Sequence, residues 1–341
     1  MNKSLSRPGT LLLFILACIT ALQIAACKSR ISRPEGNPVY NHPSIQPLNE
    51  AILKDTTQPG PWFDRGLALH RLKEDSLALN DLYRAASLDT TRAEYASAIG
   101  DILFDHKDLN NAVKWMARAL RHNPQDPRAR LKVAKLNLFM KEYPAAFLEI
   151  NTVLRQDAYN PEAYFLKGLI YKEIKDTNKA ISSFQTAINV APDYKEAYLQ
   201  LGILFNEKGS NLGIQYLNNA FRLDTLDPFP LYAIGMYHQD RGQMDQAKAA
   251  YARCLLIDPQ YSDALFATGF ILMQQDSLEK SRRQFDMVTK SDPTNSAAYF
   301  NRGLCSEMLG RKEEAISDYQ QALTFDKEYD KAKEGLKRLK G

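Results

Sequence analysis

Histidine and cysteine are scarce in this chain, at five and four of 341 residues, and tryptophan occurs twice. The histidines His42, His70, His106, His122 and His238 include no pair spaced to place two imidazoles on one helix face, and no Cys-x-x-Cys accompanies them. No metal site is expected. There is no Gly-x-Gly-x-x-Gly and no phosphate-binding loop, so no cofactor is expected either. Adjacent carboxylates such as Glu313 and Glu314 fall on solvent-facing helix positions, and no set of residues suggests an enzyme. Charge of one sign is lacking too. Lysine plus arginine number 44 against 40 acids, and without Lys3 and Arg7 the count is 42 against 40. So small and evenly spread an excess does not suggest a nucleic-acid partner.

Long apolar runs are limited to one. Leu11 to Ala26 is interrupted only by Thr20 and Gln23, follows Lys3 and Arg7, and ends in small residues. It is shorter than the roughly 20 residues a helix needs to span a bilayer, so residues 1–26 read as a secretory signal. Its end, Ile24-Ala25-Ala26-Cys27, resembles the bacterial lipobox. The resemblance implies cleavage before Cys27, acyl chains on that thiol and a membrane tie through them, each buried CH₂ contributing about 0.8 kcal/mol. Ile15-Leu16-Ala17-Cys18 fits worse, because apolar sequence would remain after the cut. Lys28 stands where sorted lipoproteins retained at the inner membrane carry aspartate, which implies the outer membrane, facing the periplasm. Residues 27–46, with Lys28, Arg30, Arg33 and several prolines, are expected to be a flexible tether.

What is abundant is periodicity. A glycine or alanine recurs at Gly66, Gly100, Ala134, Gly168, Gly202, Gly235, Gly269 and Gly303, every 34 residues except for one step of 33. Twelve residues on stands another small residue, Ala78, Ala112, Ala146, Ala180, Ala247, Ser281 or Ala315; in the fifth unit it is Gly213, eleven on, so a residue is missing from the turn. Four further stands Leu82, Met116, Ile150, Phe184, Leu217, Tyr251, Phe285 or Tyr319, and Pro124, Pro192, Pro259 and Pro293 close four of the units. Small residues at positions eight and twenty let two antiparallel helices approach, and the large one at position twenty-four fills the space they leave. Proline after the second helix stops it where a missing N–H does no harm.

This pattern resembles the tetratricopeptide repeat (TPR) over about residues 59–329. The resemblance implies an all-α, right-handed α-solenoid of eight helix pairs at 59–92, 93–126, 127–160, 161–194, 195–227, 228–261, 262–295 and 296–329. Capping helices are expected at both ends, since terminal repeats expose a face that must be covered. Residues 47–58 would use Leu48, Ala51 and Thr56, and residues 330–341 would use Ala332, Leu336 and Leu339. The third unit departs most, with Arg130 and Asn137 where bulky apolar residues are usual. Cys254 and Cys305, in units six and eight, are expected to be buried free thiols.

By the same resemblance the first helices line a concave groove, mainly at positions two, five, nine and twelve. From the fourth unit onward positions five and nine hold Phe165 and Leu169, Leu199 and Ile203, Tyr232 and Met236, Phe266 and Phe270, then Phe300 and Leu304, with Met273 at position twelve. Units two and three show Ser97 and Asp101, then Leu131 and Lys135. An exposed apolar stripe of that length is costly without a partner, and a protein or peptide segment laid along it is the expected occupant. The TPR subtype that clamps C-terminal carboxylates is not expected, because its places hold Phe63 and Leu67, or Phe165 and Leu169. The expectation is a non-catalytic scaffold, lipid-anchored in the bacterial envelope. A second reading is a lipoprotein that stacks glycan or peptidoglycan fragments on Phe165, Tyr232, Phe266 and Phe300, although sugar sites usually add tryptophan, and the two here are Trp62 and Trp115.

Overall fold

The small residues at position eight explain how the helices pair. In the computed structural model, which describes residues 37–341, a Cβ built on Gly168 would lie 2.5 Å from Phe184 Cε1. One on Gly202 would lie 2.6 Å from Leu217 Cγ, and one on Gly269 3.0 Å from Phe285 Cζ. The side chain at position twenty-four therefore fills the volume that a larger residue at position eight would need, as close packing demands. Leu82, Met116, Phe184, Leu217, Tyr251, Phe285 and Tyr319 are all buried there.

Among the described residues there are eighteen α-helices and no strand. They fall into two compact units divided between Glu142 and Tyr143. The first holds a short 3₁₀ helix, Pro38–Asn41, then α1 (Gln46–Lys54), α2 (Pro59–Arg71), α3 (Asp75–Leu88), α4 (Ala93–Asp105), α5 (Leu109–His122) and α6 (Pro127–Phe139). The second begins with α7 (Tyr143–Gln156), α8 (Pro161–Glu173), α9 (Thr177–Val190), α10 (Lys195–Glu207), α11 (Leu212–Leu223) and α12 (Phe229–Gln239). It continues with α13 (Met244–Ile257), α14 (Ser262–Gln274), α15 (Leu278–Ser291), α16 (Ser296–Met308), α17 (Lys312–Phe325) and α18 (Asp330–Lys340).

A second periodic feature sits in the backbone. Lys73, Lys107, Lys141, Lys175 and Asp276 have φ of 54° to 65°, and Gly209, Gly242 and Gly310 have φ of 69° to 77°. Each is the fifteenth residue of its repeat. This left-handed residue ends the first helix and lets the next amide reach back, as Glu74 N does to Leu69 O (3.0 Å), Asp176 N to Tyr171 O (2.8 Å) and Arg311 N to Ser306 O (2.8 Å). That bond satisfies a terminal carbonyl and sets the chain up for the return helix. Asp108 and Asp176 then cap the return helices by accepting from the backbone amides of Asn111 and Lys179.

The fifth repeat absorbs its missing residue at the start of its second helix. α11 has 12 residues where α9 has 14. Its first turn lies so close to α10 that a Cβ on Gly213 would sit 2.7 Å from Gly202 O.

The N-terminal end departs from expectation. Residues 37–46, assigned to a flexible tether, pack onto the first unit, because Ile45 supplies a fully buried apolar anchor. Asn49 Nδ2 donates to Tyr40 O at 2.9 Å, and the Arg65 guanidinium lies 5.2 Å from the centre of the Tyr40 ring. The capping helix is α1, and Ile52 is its buried residue, with Leu48 half-buried beside it. Thr56 falls after that helix, where its carbonyl accepts from Trp62 Nε1 at 3.1 Å. At the other end α18 lays Ala332, Leu336 and Leu339 against Tyr319, and a Cβ on Gly335 would lie 2.5 Å from that ring.

Candidate partner-binding groove

The aromatic residues at position five are wedges. Phe165 lies 5.6 Å from Phe184 and 5.2 Å from Tyr194, the last residue of its own repeat. Tyr232 sits 5.8 Å from Tyr251 and 5.4 Å from Tyr261, and Phe300 sits 5.5 Å from Tyr319 and 5.3 Å from Tyr329. Phe266 meets Phe285 edge-on at 5.2 Å. Such pairs favour tilted and offset geometries and bury large areas. Burial pushes the phenols of Tyr194 and Tyr261 up to about 12. The tyrosines that close three of these wedges were not singled out from sequence, although Tyr194, Tyr261 and Tyr329 hold the same place in units four, six and eight.

The expected continuous stripe is accordingly broken. Phe300 is only 8% exposed, since Tyr319 and Tyr329 enclose it, and it is core rather than groove surface. Phe165, Leu169, Leu199, Ile203, Tyr232, Phe266, Met273 and Leu304 are half-buried. Met236 and Phe270, at position nine of successive repeats, remain open at 43% and 37% exposure. The margin at the helix starts is acidic, with exposed Glu162, Glu196 and Asp263 in the first turns of α8, α10 and α14, where the helix dipole favours them.

In the first unit positions five and nine are mixed, with Ser97, Asp101 and Lys135 beside Phe63, Leu67 and Leu131. Lys132 Nζ meets Asp101 Oδ2 at 2.6 Å, and Lys135 lies 5.4 Å from the centre of the Phe104 ring. Leu131, at position five, is buried core. Charge is not evenly spread here. Between Leu109 and Lys141 lysine or arginine occurs at eight positions, against Asp126 as the one acid.

Cys254 and Cys305 are buried and unpaired. Burial pushes the Cys254 thiol up to about 12. Residues 1–36, and with them Cys27, the signal and the first half of the tether, lie outside the described residues. Among the described residues no group of three or more His, Cys, Asp or Glu side chains could hold a metal ion, and no helix is long and apolar enough to cross a membrane.

Comparison with known proteins agrees with this geometry. Three family models, each described as tetratricopeptide repeat, match residues 161–194, 239–301 and 296–329. The chain is 25% identical over 233 residues to DnaJ homolog subfamily C member 7 of Mus musculus, covering 67% of this chain and 43% of that protein. It is 21% identical over 279 residues to BBSome complex member BBS4 of Bos taurus, covering 82% of this chain and 54% of that one. It thus spans about half the length of these relatives. Among solved structures, the C-terminal part of a TPR repeat-containing protein from Cytophaga hutchinsonii superposes with a TM-score of 0.56 at 18% identity, covering 72% of this chain and 99% of that one. A tetratricopeptide repeat protein from Parabacteroides merdae gives 0.50 at 16% identity, covering 73% and 99%. Identities this low establish the solenoid fold and nothing further.

Proposed function

We propose that this chain, which is a tetratricopeptide-repeat protein, is a non-catalytic scaffold that holds a segment of another protein along the first helices of its second unit. The observation that carries the reading is the pair Met236 and Phe270, open at equivalent positions of neighbouring repeats, with half-buried Ile203 and Leu304 at that position in the repeats on either side. A partner's apolar side chain placed over this pair would remove both from water, while exposed Asp263 near the margin would suit a basic flanking residue. Methionine adapts its shape to different contacts, which suits a surface that grips without chemistry.

In this reading the scaffold is tethered to the bacterial envelope through acyl chains on Cys27, at the outer membrane and facing the periplasm. The Ile24-Ala25-Ala26-Cys27 sequence after an apolar run supports the anchor. Radiolabelled palmitate should enter the wild-type chain and not Cys27→Ser. Affinity recovery from cross-linked envelopes should yield a discrete partner for the wild type and lose it for Met236→Glu/Phe270→Glu. Equal recovery by the variant would remove the groove from the proposal. The alternative of glycan binding loses support, because the rings it would use already pack against Phe184, Tyr251, Phe285 and Tyr319.

A further inference from the structure

The geometry points to a membrane-facing surface on the outer sides of α3 and α5, built to lie against anionic lipid headgroups. On α5, Lys114, Arg118 and Arg121 follow an i, i+4, i+7 spacing that puts them on one side of the helix, opposite buried Ala112, Met116 and Ala119. On α3, exposed Tyr83 and Arg84 occupy the corresponding side. The two helices present one continuous surface, because the Tyr83 and Trp115 rings lie 5.4 Å apart and Arg118 Nη2 donates to Ala86 O at 3.3 Å. The Arg118 guanidinium lies 4.9 Å from the centre of the Trp115 ring.

Among the described residues no carboxylate answers Lys114 or Arg121. Lys114 and Arg121 are exposed and form no ion pair with any described residue, and the nearby acids have other partners. Asp81 is held by Arg65, Asp89 accepts from Thr91 and lies near Arg92, and Asp108 caps α5 through Asn111. By contrast the outer helix α15 carries Glu279 and Asp286, both ion-paired. Half-exposed tryptophan and tyrosine flanked by lysine and arginine form the side-chain set that settles at a headgroup layer.

Position in the chain favours a lipid surface over another polyanion. Residue 37 packs beside the first repeat, and Cys27 lies ten residues before it, a span of at most about 35 Å. This placement rests on reading Cys27 as the anchor, whereas the charge pattern does not.

Trp115 reports the contact directly, since the only other tryptophan, Trp62, is 8% exposed. The full chain, reconstituted into phosphatidylcholine vesicles with or without phosphatidylglycerol, is tested with a nitroxide quencher at headgroup depth. Trp115 should be quenched only when phosphatidylglycerol is present, and raising salt should relieve the quenching. Lys114→Glu/Arg121→Glu should weaken the contact at least about tenfold, and Lys114→Gln/Arg121→Gln by less, with unchanged circular dichroism in both. Quenching that ignores lipid charge or the reversal overturns the proposal. So does a Trp115 response to RNA or to an acidic protein with none to phosphatidylglycerol. If Cys27→Ser in the full chain leaves acylation unchanged while the charge-dependent quenching persists, the anchor reading falls and this surface stands.

Discussion

Arg65 grips Asp81 through two contacts, Nε to Oδ2 at 2.7 Å and Nη2 to Oδ1 at 2.8 Å, with both side chains buried. The pair ties position seven of the first helix to position twenty-three of the second. The last repeat has the same arrangement in Arg302 and Asp318, at 3.0 and 2.6 Å. Intervening repeats carry Ile99, Val133, Lys167, Leu201, Ile234 and Thr268 at position seven, and Lys167 has Ser183 rather than an acid at position twenty-three, so the pairs mark the two terminal repeats. Removing one partner strands a buried charge. Asp81→Ala should cost about 3–5 kcal/mol, and the apolar double replacement Arg65→Met/Asp81→Leu much less. Urea unfolding of the two variants checks this, and equal losses would contradict it.

Gly202 should tolerate no side chain. Gly202→Val drives methyl groups into Leu217, and overpacking of this kind costs about 1–3 kcal/mol. Gly60 has nothing within 4 Å of a built Cβ, so Gly60→Ala should be neutral or stabilising. Thermal melts of the two variants should move in opposite directions or differ by several degrees.

The left-handed residue at position fifteen makes a signed prediction. Lys175 holds φ of 61° without being glycine, and Gly310 holds 75°. Lys175→Gly should stabilise by about 0.5–1 kcal/mol, the relieved strain exceeding the entropy that glycine adds to the unfolded chain. Gly310→Ala should destabilise by about 1 kcal/mol. Denaturant midpoints measure both.

The two buried thiols should be inert in the folded chain. Burial pushes Cys254 up to about 12 and raises Cys305 as well. The folded state keeps a proton that the unfolded thiol loses near its ordinary value of about 8.5. Stability from Cys254 is therefore complete below that value and falls as pH rises toward about 12. At pH 8, maleimide should label neither residue until urea unfolds the chain; rapid labelling of the native protein would show that the burial is wrong.

The helix pairing was legible from sequence because it rests on side-chain volume. Gly168 and Phe184, or Gly202 and Leu217, announce their contact by size alone. The turn at position fifteen was not legible, since Lys73, Lys107, Lys141 and Lys175 have no side-chain preference for a left-handed backbone and adopt it because the helix ends there. Along the proposed groove the openness of the position-five residues was misjudged. Phe165 and Phe300 look like surface aromatics until Tyr194 and Tyr329, from the following turn, close over them. The N-terminal tether was misjudged for a related reason. Ile45, Val39 and Tyr40 are a few apolar residues amid prolines, and their packing depends on a core that includes residues farther along the chain, Trp62 and Leu69 among them.

The scaffold reading is tested most directly by a photo-activated cross-linker placed, one position at a time, at Met236, Phe270 and Leu256. Leu256 is a more exposed apolar residue, at 82%, on the second helix of its repeat. In intact envelopes the account predicts a discrete adduct of one size from positions 236 and 270 and none of that size from 256. The same adduct from all three positions, or none from the first two, would contradict it.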